Sequence, residues 1–287
     1  MSKYKWIRAE MESLDPEVDY ERIWQLMTCY YFNDFHMNFL YTVQFPYYII
    51  TPQGAEAVSR GGSGKLIQQQ DKREHDTAVQ FWKWFEYGPS HPITQESVKK
   101  VNGIHQAMSK KLPGRFSHTD DFAYTMCMLG ADLHRLRLRV GLSGFRDYEK
   151  IASHHYWQAM SRLFRAENDT PIIEFPDDFD GMLAFLDEYE ARDWPHTREG
   201  EIATKALIDQ FANRWFPRGL RFVGRNLILS MLDDTPHRVH HLSYPNPLAR
   251  KVLELGFAAS VFAQEKILPD PQLSTPEKHR RKELVAN

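Results

Sequence analysis

Only two of the 287 residues are cysteines, Cys29 and Cys127. They stand far apart, so spacing builds neither a disulfide framework nor a cysteine zinc centre, and a reducing, cytoplasmic setting is expected. Charge of one sign is also missing: 36 basic and 38 acidic residues leave a formal charge of −2. That removes the electrostatic reason to expect a nucleic acid or an anionic membrane and favours a small-molecule partner. No uncharged apolar run reaches the roughly 18 residues of a transmembrane helix. Even FHMNFLYTVQFPYYII, residues 35–50, is interrupted by polar groups and a proline. The opening MSKYKWIRAEMESLDPEVDYER is charged throughout and lacks the apolar centre of a signal peptide. Strand signals are scarce.

What is present is a 3.6-residue periodicity from residue 15 onward, punctuated by proline and glycine. It predicts helices at 17–42, 53–60, 74–87, 94–111, 119–140, 145–165, 177–190, 199–214, 218–232 and 246–265. With 42% apolar residues the chain can bury a large core. The expectation is an all-α, single globular multi-helix domain over 1–265, followed by a polar tail, 266–287, that lies over the surface or moves freely. RGGSG (60–64), GPSHP (88–92) and LPGR (112–115) read as turns between helices rather than linkers. Ser117 and Asp120 have capping-box spacing, and Asp177 and Asp178 place carboxylates at the positive end of a helix.

RGGSGKL resembles a phosphate loop only superficially, because that motif needs glycine at Ser59 and a hydroxyl at Leu66. HRVHH puts His237 and His241 one helical turn apart, a spacing at which two imidazoles can share a metal, but its surroundings read as a loop and no third ligand can be named. Phe81, Trp82, Trp84 and Phe85 share one helix; such aromatics fill a core or wall a flat apolar ligand, and periodicity does not separate the two. The helix VKKVNGIHQAM (98–108) aligns Val98, Val101, Ile104, His105 and Met108 on one apolar stripe. His105 is then either a core histidine satisfied by a backbone carbonyl or carboxylate, or a ligand. Upstream, KREHDT places Arg73, Asp76 and Thr77 at i, i+3 and i+4 on one helix face, as an anion-binding or oxygen-activating pocket or a solvated helix start would.

In the order KR-x-x-D-T-x(3)-F-W, then N-x-I-H, then DDFAYTMCML and HHYWQAM, the chain resembles the haem-dependent oxygenases typified by MpaB and the latex-clearing rubber oxygenase. The likeness runs from about residue 45 to about residue 165 and is most specific in R-x-x-x-T and N-x-I-H. It implies a fold enclosing a b-type haem, with His105 as axial ligand of the iron and Arg73 and Thr77 on the distal side. Phe81, Val101 and Met108 are the expected cofactor contacts, with the Val101 carbonyl accepting from the other imidazole nitrogen. Asp76 stands where rubber oxygenases carry lysine, which suits the MpaB-like branch; it is the expected partner of Arg73 or a proton relay. Glu56 matches the upstream position of a carboxylate base. MpaB itself is membrane-anchored and no such segment occurs here. The implied activity uses dioxygen, with an external reductant as a partner, to oxygenate or cleave a carbon–carbon double bond of a small apolar substrate, terpenoid, prenylated or aromatic. The alternatives are a haem protein acting on peroxide or a nitrogen substrate, as a peroxygenase or dehydratase, and a cofactor-free helical binding protein.

Overall fold

The structure is a computed structural model that describes residues 3–172 and 174–286. Among them are fifteen α-helices: α1 (Trp6–Met11), α2 (Tyr20–Thr28), α3 (Asp34–Tyr48), α4 (Pro52–Ser59), α5 (Lys65–Gln68), α6 (Gln70–Tyr87), α7 (Pro92–Ser109), α8 (Thr119–Arg139), α9 (Asp147–Ser161), α10 (Phe179–Ala191), α11 (Arg198–Trp215), α12 (Arg221–Met231), α13 (Asp234–Val239), α14 (Pro247–Phe262) and α15 (Thr275–Ala286). Two two-residue strands, β1 (Arg165–Ala166) and β2 (Thr170–Pro171), pair antiparallel. The all-α reading holds.

The helices start where local chemistry prepares them. Proline opens α4 and α7 in the first turn, where its missing N–H is not needed. Asn33 accepts from the N–H of His36, Thr51 from Gly54, Asp178 from Gly181 and Thr197 from Gly200. The Asn33 cap also divides the stretch expected as one helix over 17–42, which is α2 and α3 with a turn between. Ser117 does not cap α8: its hydroxyl donates to the Gly114 carbonyl, and His118 holds the cap position. HRVHH is not all loop, because Asp233 caps α13 and draws His237 into a short helix.

The core lies where α2, α8, α9 and α10 meet. Trp24 stacks on Tyr156 with 5.1 Å between ring centroids and meets Trp157 edge-on at 5.6 Å. Gly130 lets α9 and α10 close on α8, since a Cβ there would fall 2.7 Å from the Trp157 ring and 2.6 Å from Met182. A second layer packs α11 against α3, α4 and α12, and α6 folds onto α7 across the turn at Gly88. The tail is tied down through Asp270 and Thr275. Asp270 is buried, pairs with Lys5 and accepts from the Ile7 N–H; the Thr275 N–H donates to Cys29 and its hydroxyl to Phe32. Among the described residues no helix is long and apolar enough to cross a membrane.

Candidate functional site

The helical hairpin of α6 and α7 brings the two motifs together. On α7, Val98 is fully buried and Val101 packs against the core, while Ile104 is 57% exposed. The stripe is therefore narrower than the letters suggest: at 3.6 residues per turn Ile104 stands about 100° from His105. His105 faces inward, its ring stacked on Phe116 (5.2 Å) and edge-on to Phe122 (5.8 Å). Its Nδ1 is buried and has no hydrogen-bond partner, so the expected bond to the Val101 carbonyl is not formed. That carbonyl lies in the regular ladder of α7. Burial, and then the charge of Arg73, push the imidazole pKa down to about 4, so the ring is neutral at pH 7.

Arg73 reaches this region from α6, its guanidinium 5.7 Å from the centre of the Phe45 ring on α3. Arg73 Nη1 donates to Thr77 Oγ1, and the Thr77 hydroxyl donates in turn to the Arg73 carbonyl at 2.9 Å. The threonine proton is thus committed to the helix backbone. Thr77 holds the guanidinium in place, and only the remaining N–H groups of Arg73 are available to a ligand. Asp76 does not turn toward Arg73: it is exposed on the flank of α6 and pairs with Lys65 at 3.5 Å. Glu56 is engaged by Arg115 at 2.6 Å. Met108 accepts from Arg60 Nη2 at 3.3 Å on the outer side of α7.

Phe81 belongs to a different space. With Trp24, Thr28, Tyr41, Gln44 and Leu133 it lines a cavity of about 20 Å³, room for about one water and far too little for a macrocycle. Most of its walls come from the aromatic segment of α2 and α3, and Tyr41 Oη and Trp24 Nε1 are buried there without a protein partner. Their side-chain direction, which sequence does not encode, makes these two donors visible only in the fold. Trp82, Trp84 and Phe85 are buried core residues.

A further polar assembly went unsignalled because its members come from four separate elements. Arg135 on α8 grips Glu190 on α10 with two hydrogen bonds of 2.6 and 2.7 Å, and Tyr124 donates to the same carboxylate at 3.1 Å. Arg139 donates to Asp233 at 3.1 Å, whose N–H donates to Tyr47. Beside them Asp132 is 1% exposed with Oδ2 unpartnered, and burial raises its pKa. A groove of about 410 Å³ overlies the assembly, lined by Asp187, Glu190, Asp233, Asp234 and Arg250. His237 and His241 do not share a site. His237 is buried with its two ring nitrogens on the carbonyls of Leu242 and Leu229, whereas His241 is exposed. No protein-family model matches this chain, and no curated protein matches it.

Proposed function

We propose that this chain is a haem-b-dependent oxygenase in which His105 would hold the iron through its imidazole and Arg73 would be the polar group beside it. One observation carries the reading: a neutral, inward-facing imidazole whose buried Nδ1 has no protein partner, with a guanidinium close enough to depress its pKa. A buried polar atom without a partner costs about 1–3 kcal/mol, and a fold that tolerates this cost at a donor atom is suited to an external ligand. The donor chemistry fits haem, which takes a neutral imidazole. The room must be made, because Phe116 and Phe122 lie against the ring and the cavity beside Phe81 is too small.

Haem, when bound, supplies the dioxygen and one-electron chemistry. The residues of the chain do the rest. Arg73, held by Thr77, would offer its remaining N–H groups to an anionic oxygen of the substrate side, the kind of preorganised donor whose loss costs on the order of 100-fold in rate. The aromatic rings beside these groups, Phe45 at Arg73 and Phe116 and Phe122 at His105, would favour an apolar alkene or aromatic substrate over a polar one. Proton transfer does not run through Asp76, which faces solvent.

Oxygen uptake tests the reading. The haem-loaded protein with ascorbate and farnesol as an isoprenoid probe is expected to consume dioxygen above the rate without farnesol. Turnover of the alcohol by hydrogen peroxide under strict anaerobiosis, with no dioxygen consumption in air, contradicts it and supports the peroxygenase alternative.

A further inference from the structure

At the start of α11, His196 and Glu201, five residues apart, are joined by His241 from beyond α13. His196 lies in the loop before α11, Glu201 in the first turn of α11 and His241 just beyond α13. His196 Nε2 is 2.9 Å from Glu201 Oε2, and the rings of His196 and His241 are stacked with centroids 3.8 Å apart and planes within 3° of parallel. One potential ligand atom from each of the three falls within 4.8 Å of the others. A face-to-face sandwich is the least favourable arrangement for two aromatic rings. His241 stands at φ +49°, a left-handed conformation uncommon for a non-glycine residue. Glu201 accepts from Lys205 on Oε1 and lies against His196 on Oε2. Beneath, His240 is fully buried, and its Nε2 contacts the Pro46 carbonyl at 2.8 Å while its Nδ1 has no partner. That nitrogen sits 3.0 Å from where a Cβ on Gly200, the residue before Glu201, would be.

We propose that His196, Glu201 and His241 bind a divalent transition-metal ion of the zinc class, through one nitrogen of each imidazole and one Glu201 oxygen. Two imidazoles and a carboxylate form a donor set that zinc accepts with a fourth position left to water or a ligand, and the nitrogen donors disfavour magnesium and calcium. Lys205 occupies the other Glu201 oxygen and orients the carboxylate. The stacked rings need only tilt apart for both nitrogens to face one ion. This site is independent of the haem proposal, and the two can fail separately.

The test is a zinc titration of the full chain against a chromophoric chelator, with cobalt absorption as a second readout. The wild type is expected to bind one equivalent with micromolar or tighter affinity and to give the intense visible cobalt bands of a four-coordinate site. Glu201→Gln and His241→Ala, shown to be folded by circular dichroism, are each expected to bind at least tenfold more weakly and to lose those bands. His105→Ala and the exposed His118→Ala are expected to match the wild type. The proposal is overturned if the wild type has no saturable equivalent, or if Glu201→Gln and His241→Ala bind zinc as the wild type does.

Discussion

Along α8 the buried charges answer one another: Arg135 spans Glu190, Arg139 reaches Asp233, and Tyr124 and Tyr47 complete the set. Along α7 a half-buried imidazole faces Phe116 and Phe122, and its buried Nδ1 is answered by no protein group. The two regions bury comparable polarity to different ends. A closed network spends its donors and acceptors internally and fixes how helices meet; an open imidazole keeps a donor atom in reserve. The difference teaches that burial alone does not mark a functional group; what sets His105 apart is a metal-ligating nitrogen left without a protein partner beside a guanidinium.

The largest effect expected from this contrast is on stability at the closed network. Arg135→Met leaves the Glu190 carboxylate buried without its cation, only Tyr124 still donating to it, and is expected to destabilise the fold by about 3–5 kcal/mol in urea unfolding. The matching change on α7, His105→Leu, replaces an unsatisfied polar group by an apolar one and is expected to be neutral or stabilising. Equal losses from both would erase the contrast. Next in size, Arg73→Ala is expected to slow dioxygen-dependent turnover on the order of 100-fold while leaving haem binding in place; an unchanged rate would remove Arg73 from the reaction face.

Asp132 is the exception inside the closed network and gives the smallest effect. Its folded pKa is raised by burial above the unfolded value, so the native state binds more protons across that window and stability falls as pH rises through it. Asp132→Asn removes the penalty. The variant is expected to melt near the wild type at pH 4 and about 3 °C above it at pH 8, on the scale of a 1 kcal/mol change in a domain of this size. A pH-independent difference between the two melting curves would show that the carboxyl is not the source.

Most of the helices were legible because proline, glycine and capping residues mark their ends and hydrophobic periodicity marks their faces. Docking was not. The tail, 266–287, reads as a polar appendage, and its attachment depends on Asp270 and Thr275 finding Lys5, Ile7, Cys29 and Phe32, contacts across more than 200 residues of chain. At the candidate site the i, i+4 spacing announced the Arg73–Thr77 pair, since both lie on one helix. Asp76 pairs with Lys65 on a separate short helix, and His241 meets His196 rather than His237 where the residue after α13, His240, packs on Gly200 at the start of α11. Local spacing carries information about one element; partners drawn from different elements become visible only when the fold brings them together.

The central claim is that His105 is the open donor that holds haem iron. The most direct measurement is a haem titration followed in the Soret region for the wild type and for His105→Gly, without and with free imidazole. The account predicts one haem per chain with a histidine-type spectrum in the wild type, loss of that spectrum in the variant, and its return when imidazole fills the space left by the side chain. A spectrum in His105→Gly that matches the wild type without imidazole, or no haem binding by the wild type, would contradict it.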